Sequence, residues 1–147
     1  MKEYKSSSTY KNTRGSVVTI GTFDGVHLGH KALLKRLVDT AQKEDLDSVL
    51  LTFFPHPRMV LQKDSDLKLI NTLSEKKQLL KDIGLHHLVV QPFTKEFSRL
   101  TALEYVRDIL VNQLNAKKII IGYDHRFGRN RTADIENLRE YGFTYGF

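Results

Sequence analysis

From Ser16 onward the chain repeats one pattern: an apolar run short enough for a buried strand, then a stretch whose apolar residues recur three and four apart. Ser16–Ile20 (SVVTI), Asp47–Phe54 (DSVLLTFF), Leu85–Gln91 (LHHLVVQ) and Lys118–Gly122 (KIIIG) are the strand-like runs. Leu33, Leu34, Leu37, Val38 and Ala41 predict a helix from about His30 to Lys43. Thr72-Leu73-Ser74-Glu75 has capping-box spacing ahead of Leu79, Leu80 and Ile83, with Gly84 as the stop. Thr101-Ala102-Leu103-Glu104 repeats the box ahead of Tyr105, Val106, Ile109, Leu110 and Leu114, a stripe that assigns Tyr105 to the core. Residues 132–140, with Ile135 and Leu138, predict a last helix, and Gly142–Phe147 the turn into a fifth strand. Strands alternating with helices imply right-handed crossovers, so the expected class is α/β: an open, mostly parallel sheet with helices on both faces.

A chain of 147 residues is one domain's worth and can bury about 68–70% of its unfolded surface. Its first fifteen residues are polar, Ser/Thr-rich and aperiodic, which predicts a flexible extension (1–15) ahead of a folded domain (16–147). They lack the apolar centre of a signal peptide, and no run approaches the roughly 18 apolar residues of a membrane span, so a cytoplasmic protein is expected. There is no cysteine, which removes disulfides and thiol catalysis. The net charge of +6 suits polyanionic partners. It is dispersed over Lys2, Lys5, Lys11 and Arg14, over Arg126, Arg129 and Arg131, and over scattered positions. With no basic block interleaved with stacking aromatics, small nucleotides explain it as well as nucleic acid does.

Chemistry concentrates first at Gly21-Thr-Phe-Asp-Gly-Val-His-Leu-Gly-His30, between the first strand and the first helix. Gly21, Gly25 and Gly29 allow a close backbone approach, and the helix start offers unpaired N–H groups and a positive dipole end, so a phosphate fits here. His27 and His30 can reach the same side of the first turn and donate to anionic oxygens, the alternative being two helix-start surface histidines with no role. Zinc is the rival reading, but it wants three or four protein ligands, and neither cysteine nor a His-Glu-x-x-His helix is present. Asp24, followed by glycine, serves equally as a carboxylate ligand or as a cap on its own backbone.

The second concentration is Phe54-Pro55-His56-Pro57-Arg58, a stiff loop at a strand's carboxyl end. It is either a rigid turn packed on its own core or a flat surface for an aromatic ring, with Arg58 near an anion. The third is the polar loop Tyr123–Arg131 after the fourth strand, where Phe127 is a ligand contact or a core anchor and the arginines are phosphate contacts or solvated surface. His86 and His87, adjacent on a strand, point to opposite faces and are read as structural.

Gly21–His30, Thr52–Pro57 and Gly122-Tyr-Asp-His-Arg-Phe-Gly128 with Arg131 together resemble the motifs of the HxGH nucleotidyltransferases. More narrowly, they resemble the FAD synthetase module that opens bacterial bifunctional riboflavin kinase/FMN adenylyltransferases. The resemblance implies a Rossmann-like domain that transfers AMP from ATP to FMN, giving FAD and pyrophosphate, with magnesium accompanying ATP. It places Gly21, Phe23, Asp24, His27, Gly29 and His30 at the nucleotide, with His27 and His30 catalytic. Phe54, Pro55, His56, Pro57, Arg58, Asp124, Phe127 and Arg131 it places near flavin or the shared phosphate region. Alternatives are a nucleotidyltransferase for another phosphorylated acceptor and a non-catalytic nucleotide- or nucleic-acid-binding module. Two departures stand out. Ala133 occupies a position where the family usually has glycine, and a Ser-Ser-Thr-x-x-Arg segment and a riboflavin kinase domain are expected after Phe147, so the synthetase domain is expected to be incomplete here. Metal ligands and oligomeric state are not readable from the sequence.

Overall fold

A computed structural model of the chain describes residues 1–22, 28–55, 73–122 and 125–147. Among the described residues, five strands form one sheet: β1 Lys2–Tyr4, β2 Ser16–Ile20, β3 Asp47–Phe54, β4 His87–Pro92 and β5 Ala116–Ile119. Their order is β1-β4-β3-β2-β5, and every pairing is parallel. The helices are α1 Leu28–Glu44, α2 Leu73–Ile83, α3 Lys95–Ser98 and α4, which opens as Ala102–Glu104 and runs on as a π-helix over Tyr105–Gln113. The last is α5, Ile135–Tyr145. Short 3₁₀ turns lie at Ser7–Thr9 and Arg129–Arg131. Among the described residues no helix is long and apolar enough to cross a membrane.

The alternation of β2 and β3 explains the two layers. Val17 and Leu50 turn to one face, where they meet Leu34, Leu37 and Ala41 of α1 and Leu80 of α2. Val18, Ile20, Val49 and Leu51 turn to the other, against Tyr105, Val106, Ile109 and Leu110 of α4 and Leu138 of α5. Leu34, Leu37, Leu50, Leu88 and Leu110 are wholly buried, each contributing about 1.5–3 kcal/mol of transfer free energy. α4 starts with the expected capping box, Thr101 accepting from the Glu104 N–H while Glu104 accepts from the Thr101 N–H.

Three expectations are corrected. The stretch 1–15 is not without structure: β1 pairs with β4, and Tyr10 is buried in the core against Tyr4 and His87. Gly142–Phe147 does not turn into a strand, because α5 continues through Gly142 to Tyr145 and is capped by left-handed Gly146 (φ 82°). The fifth strand is thus at the amino end. His86 and His87 also do not part company: His87 Nε2 lies 2.8 Å from Asp47 Oδ2 and His86 Nδ1 3.9 Å from Asp47 Oδ1. His86 precedes β4, so strict alternation does not apply to it.

Strand order sets where a ligand can enter. From β2 the chain moves to β3 and β4 on one side, and later to β5 on the other. A crevice opens at such a reversal, outside the carboxyl ends of β2 and β5.

Candidate active site

A cleft of about 580 Å³ lies at that reversal. One wall is the end of β2, Ile20 with Gly21 and Thr22; the Gly21 N–H donates to the Leu51 carbonyl at 3.1 Å, which extends the sheet to the lip. The opposite wall is the loop after β5, His125 to Gly128 with Asn130 and Arg131. The floor is aromatic. Phe53, Phe93 and Phe97 meet with ring centroids 5.5–5.7 Å apart, Phe97 continues to Tyr105 at 6.1 Å, and Tyr105 to Phe127 at 5.8 Å.

Local sequence explains the placements. Phe53 and Phe54 are neighbours on β3, so their side chains leave opposite faces of the sheet. Phe53 enters the cleft; Phe54 is 50% exposed and is not part of its lining. Phe127 is fixed by a two-way backbone bridge with Ala133, 3.0 and 3.2 Å. It is therefore both a loop anchor and a lining residue. Gly128 has φ 79°, and a Cβ there would stand 2.9 Å from the Ala102 backbone, so the loop's approach to α4 requires glycine. Ala133 keeps a negative φ, and its methyl is accommodated in the core.

The electrostatics favour an anionic ligand. Among the described residues the lining carries Arg126 and Arg131 and no carboxylate. Arg126 stands 3.9 Å from Asp134, which caps α5, and Arg131 is exposed. Tyr105 lines the cleft, its hydroxyl is buried without a hydrogen-bond partner, and burial pushes its pKa up, so the phenol stays neutral.

Of the residues singled out in the sequence, Gly21, Phe127 and Arg131 meet in this cleft. Gly29 and His30 lie in the first turn of α1, whose amino end faces the same sheet edge because α1 follows β2. Pro55 is exposed beyond β3, joined to Phe54 by a cis peptide bond. Phe23, Asp24, His27, His56, Pro57, Arg58 and Asp124 lie outside the described residues. Phe53, Phe93 and Phe97 are cleft residues to which the sequence reading gave no role, and Tyr105, a core residue as expected, lines the cleft as well; the signal for Phe53 and Phe93 was an aromatic at or just past the carboxyl end of a strand. No group of three or more histidine, aspartate or glutamate side chains that could hold a metal ion occurs among the described residues.

A family model described as FAD synthetase matches residues 9–147. A bifunctional riboflavin kinase/FMN adenylyltransferase of Buchnera aphidicola (subsp. Schizaphis graminum) is 37% identical over 137 residues, covering 93% of this chain and 44% of that protein. The protein of the same description from Escherichia coli K12 is 37% identical over 133 residues, covering 90% and 42%. A FAD synthetase of Listeria monocytogenes is 34% identical over 131 residues, covering 88% and 52%. The chain thus spans less than half the length of the first two relatives. A crystal structure described as a macrolide-efflux protein from Streptococcus pneumoniae superposes with a TM-score of 0.84 at 30% identity, over 95% of this chain and 46% of that one.

Proposed function

The chain belongs to the FAD synthetase family, and from that premise we propose that it transfers AMP from ATP to FMN in the cleft at the β2–β5 reversal. The observation that carries this reading is the composition of the cleft: an aromatic floor of Phe53, Phe97 and Tyr105 beside a rim of Arg126 and Arg131, free of carboxylates among its described lining. A flat tricyclic ring fits the floor, and a phosphate fits the rim. Tyr105 can donate to a polar edge of the ring.

A phosphate oxygen of FMN attacks the α-phosphorus of ATP, the bond from that phosphorus to the bridging oxygen breaks, and pyrophosphate leaves with the electron pair. The nucleophile is already an anion, so no general base and no covalent enzyme intermediate is needed. Catalysis then rests on in-line alignment and on donors that neutralise charge growing toward the leaving group. His27 and His30, flanking the amino end of α1, are the donors this reading assigns, with the helix dipole adding to them. Among its described residues the lining offers no carboxylate to hold a magnesium ion, which would be held by the ATP phosphates and water.

The test supplies ATP labelled at the α-phosphate with FMN, phosphopantetheine or glycerol phosphate as acceptor. Label passing to FMN alone, with a loss on the order of 10²- to 10³-fold in His30→Ala, is the expected result. Transfer to another acceptor in preference would reassign the floor to a different substrate, and no transfer at all would leave a binding module.

A further inference from the structure

Past its capping box α4 is not wound as an ordinary α-helix. Tyr105–Gln113 is a π-helix, closed by the Leu114 N–H donating to the Ile109 carbonyl five residues back at 2.9 Å. The wider turn decides where side chains point. At 3.6 residues per turn the step from Tyr105 to Leu114 is about two and a half turns, which would set the two on opposite sides of the helix. With roughly one residue more per turn the step is about two turns, and both come round to one face. Both are buried in the same apolar cluster, Tyr105 4% and Leu114 0% exposed. The winding is therefore what lets Tyr105 stand in the cleft wall while Leu114 is in the core.

Such winding is rare beyond a single turn, so the surrounding structure has to hold it. At the amino end stands the Thr101–Glu104 capping box. At the carboxyl end the Gln113 side chain accepts from the Ser7 hydroxyl at 2.5 Å, and the Ser7 N–H donates to the side-chain oxygen of Gln91 in β4 at 2.8 Å. Ser7 is 3% exposed, and Tyr10 just beyond it enters the cluster that holds Tyr105, Leu110 and Leu114. The amino-terminal segment is thus fastened to α4 and to the sheet at once. We propose that Ser7 and Gln113 are positioning residues for flavin binding: their hydrogen bond pins the carboxyl end of α4 in the π register and so sets Tyr105 in the cleft wall, eight residues away. This rests on the reading of the aromatic floor as the flavin site. Neither residue is among the described lining of the cleft, and at a separation on the order of 10 Å along the helix neither needs contact with the ligand. With the bond removed, α4 relaxes toward the commoner α winding, and Tyr105 turns relative to Phe97 and Phe127.

Titration of the chain with FMN and, separately, with ATP tests this, beside Gln113→Met, Gln113→Glu and Ser7→Ala. Gln113→Met matches the length but lacks the acceptor, and it raises the FMN dissociation constant about three- to tenfold, the worth of one hydrogen bond. Ser7→Ala removes the donor and does the same; the two variants strike one bond from opposite sides, so either that folds decides the matter. Gln113→Glu keeps an acceptor in place and recovers most of the affinity. ATP binding, assigned to the end of β2 and the start of α1, stays within about twofold in all three. That split between the ligands is what general loosening of the fold would not produce. FMN affinity in Gln113→Met and Ser7→Ala within about twofold of the parent overturns the proposal, as does an equal loss for both ligands or a loss that glutamate does not restore. A parent chain that binds no FMN overturns it together with the flavin reading, whereas a parent that binds FMN beside unaffected variants removes only the clamp.

Discussion

Tyr105 sits where a helical stripe and a ligand wall coincide. Its ring packs between Phe97 and Phe127 in the cleft wall, and its hydroxyl is buried without a partner. Replacing it by phenylalanine removes a group that gains nothing from folding. Stability in urea should therefore hold or rise by up to about 1 kcal/mol, while the KM for FMN rises several-fold, about the worth of one hydrogen bond. Equal KM values would mean that the hydroxyl meets no ligand. At Gly128 the constraint is conformational: Gly128→Ala combines a positive φ with a Cβ that presses on Ala102. It should cost at least about 1 kcal/mol in urea denaturation and displace the arginine rim. Little of this was legible in the sequence. A tyrosine at helical spacing looks the same whether its hydroxyl meets solvent, protein or substrate, and Phe53 differs from Phe54 only in which side of a strand it leaves.

The elements with strong periodicity were the legible ones, because burial on one face dictates the pattern. Asp47–Phe54 matches β3 residue for residue, and α1 extends two residues ahead of and one beyond the helix expected from Leu33 to Ala41. The misread elements obey other physics. β1 is three residues, Lys-Glu-Tyr, at the sheet edge, where charged side chains are the norm and no apolar alternation is needed. Gly142 reads as a breaker, yet Phe147 folds back over it, and a Cβ there would meet the Phe147 carbonyl at 3.1 Å and its ring at 3.2 Å. The clasp that ties β1 and Tyr10 down makes a pH prediction. Burial tends to raise the Asp47 pKa, but hydrogen bonds from His87 and Asn12 and the nearby imidazoles outweigh it and hold the carboxyl below its ordinary value. A depressed carboxyl contributes stability above its unfolded value of about 3.9, and loses it as pH falls through the folded value. The chain should lose stability in acid below about pH 4. Asp47→Asn should lower stability at pH 7 and flatten that acid limb, as followed by urea melts across pH; an unchanged limb would place the acid sensitivity elsewhere.

At the scale of the whole molecule, one topological fact joins the pieces. Because β5 lies on the far side of β2 from β3, the carboxyl end of β2 borders the crevice, α1 begins beside it, and the loop 125–131 closes the other wall. The alternation of strands and helices made the sheet foreseeable, whereas the aromatic floor depends on residues 53, 93, 97, 105 and 127, drawn together only by the fold. The most direct measurement is therefore a fluorescence titration of FMN with the chain, in parallel with Phe53→Ala and Phe54→Ala. Saturable quenching by the parent and by Phe54→Ala, with affinity lost on the order of tenfold or more in Phe53→Ala, is the expected result. Equal affinities in the two variants, or no saturable quenching by the parent, would contradict the placement of flavin in this cleft.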